Sequence, residues 1–228
     1  MGAVGFPNES PEYRAARDEL ARAEAELTRQ IEAVAAQRRA LPLGGALAED
    51  YVFTAGPADL ASDEPAAQVR LSDLFGQHDS LLLYSFMYAP DMDRPCQMCT
   101  SLLDGLNGAA PDIAHRTAFA VVAKSPLPEL RAFARERGWA NLRLLSSDGT
   151  TYNRDYHGES GDGEQRSRMN VFVRRGSQIR HFYATEQTEL RPDWGERHLD
   201  LLWPLWNALD LTEGRGHNWY PAYSVTQL

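Results

Sequence analysis

Residues 80–99 read SLLLYSFMYAPDMDRPCQMC, and this stretch decides the fold. Ser80–Tyr88 is a nearly continuous apolar run of strand length, which is typical of a strand buried on both faces. A loop rich in proline and aspartate follows it, and a helix is predicted from Cys96 to about Asn107. Cys96 and Cys99 are the only two cysteines of the chain, and the pattern places both at the start of that helix.

Strands and helices alternate on either side of this stretch. The other predicted elements are a weak strand at 51–53, strands at 117–123 and 142–145, a helix at 127–137, a hairpin of 169–173 and 178–184, and a final helix at 196–209 that bends at Pro204. Such alternation predicts an open α/β sheet, a central mixed sheet flanked by helices, with a parallel core and an antiparallel edge pair.

A long helix is predicted ahead of the sheet, over residues 10–40. Ser10 is a good N-cap for it. Leu20, Leu27 and Val34 recur every seven residues, which is typical of an amphipathic helix that lies on its own domain or on a partner. The predicted organisation has three parts: an N-terminal helical extension at 1–45, an α/β domain at 46–213 and a C-terminal tail at 214–228.

The composition is that of a globular protein. Of the 228 residues, 43% are apolar and 24% charged, which excludes a disordered or fibrous chain. The formal net charge of −9 gives no global electrostatic reason to bind nucleic acid or an anionic membrane. No apolar run approaches the roughly 18 residues of a membrane span, and no secretory signal is visible. We therefore expect a cytoplasmic protein.

The CxxC pair carries the predicted chemistry. At a helix start, the free backbone N–H groups and the positive end of the helix dipole favour a thiolate at Cys96 and lower its pKa. Cys99 lies one turn on, close enough to attack a mixed disulfide formed at Cys96. Two neighbouring thiols of this kind are sufficient for reversible dithiol–disulfide exchange.

Other kinds of site are less well supported by the sequence. The cysteines could be two inert buried thiols, or ligands of zinc, but there is no second CxxC and the six histidines are scattered, so no metal is expected. No phosphate-binding loop, dinucleotide fingerprint or nucleophile elbow is present. We therefore expect no bound cofactor, and electrons supplied by another protein or a small thiol.

Several motifs resemble known redox proteins. Val69–Tyr88, Leu142–Tyr156 and Arg168–His181 look like segments of the peroxiredoxin and alkyl hydroperoxide reductase group. A closer resemblance is to a thioredoxin-like family of unknown function, the domain of unknown function numbered 899. Its members contain four segments in this order: a long N-terminal helix that ends in an RRALP-like sequence, a strand that ends in FM(Y/F), a CxxC pair and a C-terminal LDL segment. The corresponding residues here are Arg38–Pro42, Phe86–Tyr88, Cys96–Cys99 and Leu209–Leu211.

The resemblance implies a thioredoxin-like fold and a dithiol–disulfide oxidoreductase, with Cys96 as the nucleophile and Cys99 as the resolving thiol. Peroxiredoxins carry an arginine beside the reactive thiolate, and Arg168 matches it. Pro95 stands where thioredoxins have tryptophan, and Asp93 stands where peroxiredoxins have threonine or serine. A thiol peroxidase and a non-catalytic dimeric binding module are the alternatives.

The partners implied are a protein or small-molecule disulfide or a peroxide as substrate, and a thiol reductant or reductase as electron donor. Neither nucleic acid nor a membrane is expected. A second copy of the chain is a candidate partner for the long N-terminal helix.

Overall fold

A single mixed sheet of seven strands is the centre of the computed structural model, which describes residues 5–186, 199–212, 221 and 223. The strands are β1 (Val52–Ala55), β2 (Ala67–Arg70), β3 (Ser80–Phe86), β4 (Ala118–Ala123), β5 (Leu144–Ser146), β6 (Arg168–Arg175) and β7 (Gln178–Ala184). The helices are α1 (Pro11–Arg39), α2 (Leu71–Leu74), α3 (Gln97–Ala114), α4 (Leu127–Arg137), α5 (Tyr152–Asp155) and α6 (Pro204–Leu209), with a 3-10 turn at Asp200–Leu202.

The strand order across the sheet is β2-β1-β5-β4-β3-β6-β7. β3 and β5 lie parallel to β4, whereas β6 is antiparallel to β3 and forms a hairpin with β7. The central strand β3 therefore leads into the cysteine helix, with a parallel neighbour on one side and an antiparallel hairpin on the other. This topology confirms the predicted thioredoxin-like α/β fold with its long N-terminal helix.

Each face of the sheet carries its own core because side chains alternate along a strand. Tyr84 and Phe86 of β3 pack on one face with Leu102 and Leu103 of α3. Leu81 and Leu83 point to the other face, where the second core lies. α3 and its cysteines therefore belong to the first face.

The chain divides into two compact units, Met1–Pro42 and Leu43–Leu228. The first contains α1, which begins where predicted: Ser10 Oγ accepts a hydrogen bond from the N–H of Tyr13 at 3.1 Å. None of the residues of α1 is buried. Leu27, in the middle of its apolar stripe, is 61% exposed. Packing of this stripe against another surface stays a prediction.

α3 is longer than predicted, since it continues past Asn107 to Ala114 and contains Pro111. A proline lacks the N–H that would bond to the carbonyl four residues earlier, here that of Asn107. Asn141 supplies the missing donor, because its Nδ2 donates to the Asn107 carbonyl at 3.1 Å. The Asn107 side chain in turn accepts the Asn141 N–H at 3.0 Å. A partner distant in sequence thus lets the helix continue through a proline.

The end of the chain is described only in part. The predicted final helix at 196–209 is divided into the turn Asp200–Leu202 and α6, with Trp203 between them in an extended conformation as the N-cap of α6. Residues 196–198 of that prediction lie outside the described residues, as does most of the predicted tail at 214–228. Pro221 and Tyr223 are its described positions.

Candidate functional site: the Cys96–Cys99 pair

Cys96 is the N-cap residue of α3, with φ −60° and ψ 127°. Its N–H donates to the Met87 carbonyl at 3.0 Å, which ties the helix start to the end of β3. Its own carbonyl accepts from the N–H of Thr100 at 3.0 Å and from the Thr100 hydroxyl at 2.9 Å. The predicted placement of the first cysteine, after a buried strand and at a helix start, is confirmed.

The Cys96 sulfur is surrounded by hydrogen-bond donors. Cys99 lies 3.6 Å away, and its S–H is directed at Cys96. This bond lowers the pKa of Cys96 to about 6, together with the backbone N–H groups of Cys99 and Met98 and in spite of burial. These are the two helix positions that an N-cap side chain normally faces, and the Cys96 sulfur lies near them without completing a capping hydrogen bond. Cys96 is therefore a thiolate at neutral pH and is still partly exposed.

Cys99 has the opposite character. It is only 3% exposed, and its pKa is raised well above the ordinary value by its hydrogen bond to Cys96, by burial and by the negative charge of Cys96. The nearby Tyr84 side chain and the N–H of Met87 act in the other direction, because both favour the charged form of Cys99 and lower its pKa. One cysteine is thus ionised and accessible, while the other is protonated and enclosed.

Tyr84 is the buried neighbour of Cys99. Its ring belongs to the core between β3 and α3, and its side chain is fully buried. Burial and the adjacent Cys99 raise the pKa of Tyr84 well above its ordinary value. The Ser167 side chain, immediately before β6, opposes that shift. The buried Tyr84 hydroxyl has no hydrogen-bond partner among the described residues. The enclosed thiol of Cys99 therefore lies between the Cys96 sulfur and a buried, unpartnered hydroxyl.

Tyr223 covers the loop in front of Cys96. Its hydroxyl donates to the carbonyl of Pro95, and its ring makes an edge contact with Phe133 at a centroid distance of 6.1 Å. The guanidinium of Arg94 lies 4.5 Å from the centre of the Tyr223 ring. Burial raises the pKa of the Tyr223 phenol, and the charge of Cys96 adds to this effect. Tyr223 is thus close to the Cys96 sulfur.

α3 is held in place by Asp104. Its carboxylate accepts two hydrogen bonds from the Arg137 guanidinium, at 3.2 and 2.5 Å. It also accepts one from the indole N–H of Trp139 at 2.8 Å. Trp139 is itself 1% exposed and packs on Phe86 of β3. These contacts fix the helix that presents both thiols.

Arg168 begins β6 and is buried, at 3% exposure. Its guanidinium donates to the Thr185 carbonyl. In the β3–β6 register Arg168 lies opposite Ser85, whereas Met169 lies opposite Tyr84. Directly opposed residues share a face, so the Cβ of Arg168 points to the face away from the thiols, at the end of β3 from which their loop departs. A contact with the Cys96 sulfur stays a prediction.

Over residues 5–186 and 199–212, no group of three or more His, Cys, Asp or Glu side chains has the arrangement needed to hold a metal ion. Within the same described part of the chain, no helix is both long enough and apolar enough to cross a membrane.

Sequence analysis alone misses two neighbours of the pair. Tyr84 is an expected core aromatic, and it is buried, but its contact with Cys99 depends on the angle between α3 and β3. Its hydroxyl was the available signal, because a buried tyrosine usually finds a hydrogen-bond partner. Tyr223 lies more than 120 residues from Pro95, and the sequence contains no signal for that contact.

Comparison with known proteins places the chain in a family. Thioredoxin peroxidase I of Plasmodium yoelii has a similar solved structure, with 16% sequence identity, a TM-score of 0.49 and a match that covers 75% of this chain and 91% of that one. The reduced 2-Cys peroxiredoxin of Plasmodium vivax is also 16% identical, with a TM-score of 0.46 over 70% of this chain and 98% of that one. The peroxidoxin BcpB of Mycobacterium tuberculosis is 16% identical, with a TM-score of 0.43 over 74% of this chain and 97% of that one. No curated protein matches the sequence. Residues 5–226 match the family described as bacterial protein of unknown function, DUF899, and the chain belongs to that family.

Proposed function

We propose that the protein is a dithiol–disulfide oxidoreductase in which Cys96 is the nucleophile and Cys99 the resolving thiol. The observation that carries the proposal is the asymmetry of the pair. Cys96 is partly exposed and has a lowered pKa, whereas Cys99 is buried 3.6 Å away with a raised one. A reactive thiol in proteins has this kind of partly exposed, thiolate-stabilising surrounding, while inert structural cysteines are buried in apolar ones.

The reaction has two exchange steps. The Cys96 thiolate attacks one sulfur of a substrate disulfide; that S–S bond breaks, a mixed disulfide forms at Cys96, and one thiolate leaves. Cys99 then loses its proton to solvent and attacks the Cys96 sulfur. The Cys96–Cys99 disulfide forms and the second substrate thiolate leaves. The substrate gains two electrons and the pair loses two.

The proposed partners follow from this chemistry. The substrate is a protein or small-molecule disulfide that can reach Cys96 over the side that Tyr223 leaves open. A thiol reductant or a reductase returns the two electrons, because the reaction as written needs no other cofactor. A cytoplasmic location remains a prediction.

A thiol peroxidase is the second candidate, favoured by the lowered pKa of Cys96. In that reaction the thiolate attacks a peroxide oxygen, the O–O bond breaks, the other oxygen leaves as hydroxide or alkoxide, and Cys96 becomes a sulfenic acid. Cys99 then condenses with it, and water leaves as the disulfide forms. The 3.6 Å separation suits either resolving step.

The deciding experiment is a redox titration of the full chain in buffers of oxidised and reduced dithiothreitol, read as the mass added by alkylation of free thiols. We expect one reversible two-electron transition, and none in the matched variants Cys96→Ser and Cys99→Ser. Turnover of hydrogen peroxide with a thiol reductant then separates peroxidase from disulfide reductase. A pair that never forms a reversible disulfide refutes both and leaves a non-catalytic binding module.

A further inference from the structure

We propose that the Tyr84 hydroxyl is a catalytic hydrogen-bond donor that stabilises Cys99 as a thiolate when Cys99 resolves a mixed disulfide at Cys96. This inference rests on the proposed function and concerns its second step. It assigns a role to a fully buried polar group between β3 and α3.

The geometry supplies the contact. Tyr84 lies on β3 opposite Met169 of β6, and both side chains belong to the core that encloses Cys99. The Tyr84 hydroxyl is buried and has no hydrogen-bond partner among the described residues, and it lies close enough to Cys99 for each group to influence the pKa of the other. It is therefore an unused donor beside the enclosed thiol. Cys99 is enclosed and cannot rely on water to stabilise a negative charge. Its donors have to come from the protein, and Tyr84 is one of them.

The state of Cys96 decides when this donor matters. Before reaction, the hydrogen bond and the charge of Cys96 keep the Cys99 proton in place. Once Cys96 is bonded to a substrate sulfur, its charge is gone and it no longer accepts the Cys99 S–H. Burial still raises the pKa of Cys99, but the Tyr84 hydroxyl and the N–H of Met87 both lower it. Cys99 therefore loses its proton more easily once the mixed disulfide has formed, which is the stage at which it has to attack.

Tyr84 acts as a donor and not as a base. Burial keeps the phenol protonated at neutral pH, so it cannot take the proton of Cys99. That proton goes to solvent, the Cys99 thiolate attacks the Cys96 sulfur, the bond from Cys96 to the substrate sulfur breaks, and the substrate leaves as a thiolate. A donor to a charged sulfur strengthens as that charge develops.

The experiment follows the two steps separately with 5,5′-dithiobis(2-nitrobenzoate), a coloured aromatic disulfide, added in equimolar amount to the reduced full-length protein. The first equivalent of thionitrobenzoate reports attack by Cys96, and the second reports resolution by Cys99. In Tyr84→Phe we expect an unchanged first phase and a second phase slowed roughly tenfold or more, the loss expected for one hydrogen bond to a charged group.

Tyr152→Phe is the matched control. Tyr152 is equally buried, but it lies in the core on the other face of the sheet, so both phases should match those of the unaltered protein. Ser167→Ala covers the case in which Tyr84→Phe does not fold. It removes the polar side chain that influences the pKa of Tyr84 from the other side, and we expect a smaller slowing, again confined to the second phase.

The outcomes separate this inference from the proposed function. If the unaltered protein releases one equivalent or none, the proposed function fails. If it releases two and Tyr84→Phe resolves at the same rate, Tyr84 has no such role. Equal slowing of both phases in Tyr84→Phe indicates a displaced helix and also overturns the inference.

Discussion

The hydroxyl of Tyr223 donates to the carbonyl of Pro95, the residue immediately before Cys96. The Tyr223 carbonyl also accepts a hydrogen bond at 2.5 Å from Arg137, the last residue of α4. Tyr223 is therefore hydrogen-bonded both to the loop that precedes Cys96 and to the end of α4. Its ring lies beside the loop that leads to Cys96, so we expect Tyr223 to limit which molecules reach the sulfur.

Replacement of Tyr223 by alanine should open that approach. In Tyr223→Ala we expect alkylation of Cys96 by a bulky fluorescein maleimide to accelerate several-fold, while alkylation by small iodoacetamide changes less than about twofold, because access and not the pKa is altered. Stability should fall by about 1–2 kcal/mol through loss of the contacts with Phe133 and Arg94. Stopped-flow alkylation and urea unfolding measure the two effects.

Tyr223→Phe is the control for this prediction. It keeps the ring over the loop and removes only the hydrogen bond to Pro95, so the bulky reagent should still be excluded. If the alanine variant shows no change in the ratio of bulky to small reagent, Tyr223 does not cover the sulfur.

The pH dependence of Cys96 follows from its lowered pKa. The rate of iodoacetamide alkylation should reach half its plateau near pH 6, since the pKa of Cys96 is lowered to about 6 and only the thiolate reacts. At pH 7 Cys96 is then mostly ionised, whereas Cys99, with its raised pKa, remains protonated and reacts far more slowly. Peptide mass spectrometry after quenching gives the two rates separately.

Cys99→Ala tests the cause of the shift. It removes the S–H that donates to Cys96, the largest contribution to the lowered pKa. The midpoint should move upward, toward the ordinary value of about 8.5. A midpoint at or above that value in the unaltered protein, or equal rates at the two cysteines, would contradict the assignment of Cys96 as the nucleophile.

The placement of the pair could be predicted from sequence because its signals are local. An apolar run of strand length, a proline-containing loop and the start of a helix follow one another within twenty residues. Helix α4 was predicted with its observed bounds for the same reason, since Gly138 ends it in a left-handed conformation with φ 70°, which glycine adopts without steric cost.

Contacts between distant residues could not be predicted in this way. The end of α3 was misplaced because Asn141, which replaces the donor that Pro111 lacks, stands 34 positions from Asn107. The neighbours of Cys99 depend likewise on the packing of α3 against β3, and this set Tyr84 beside the sulfur. Periodicity in a sequence indicates which face of an element is buried but not which buried groups meet.

Helix α1 should associate with another surface, and we propose a second copy of the chain. Its first sixteen residues carry five acidic and three basic side chains, so this half is negative. The remaining thirteen carry one acidic and three basic side chains, so that half is positive. Two copies in antiparallel orientation would therefore bring opposite charges together along the apolar stripe. Replacement of Leu20 and Leu27 by serine should lower the oligomeric state or the melting temperature, because an amphipathic helix gains most of its stability from packing.

Sedimentation velocity and thermal unfolding measure these effects. Glu19→Gln is a suitable control, since it changes a neighbouring exposed position without altering the apolar stripe. A double variant with unchanged sedimentation and unchanged melting would show that the stripe has no partner, either in the same chain or in another.

Arg168 provides the last test, because its two proposed roles predict different results. The resemblance to peroxiredoxins places its guanidinium beside the Cys96 thiolate, so Arg168→Met should slow the reaction of Cys96 with hydrogen peroxide. Starting from a pKa of about 6, a rise on the order of one unit lowers the thiolate fraction about twofold at pH 7 and nearly tenfold at pH 5, so the rates are compared at both values. The burial of Arg168 and its bond to the Thr185 carbonyl add an expected loss of about 1–3 kcal/mol of stability, since a buried acceptor loses its donor. The rate of reaction with hydrogen peroxide is measured by competition kinetics, and the free energy of unfolding is measured in urea on the same preparation. A folded variant of reduced stability that reacts with peroxide at the unaltered rate would remove Arg168 from the site, and its pairing with Ser85 on the face away from the thiols would then explain why the residue is structural.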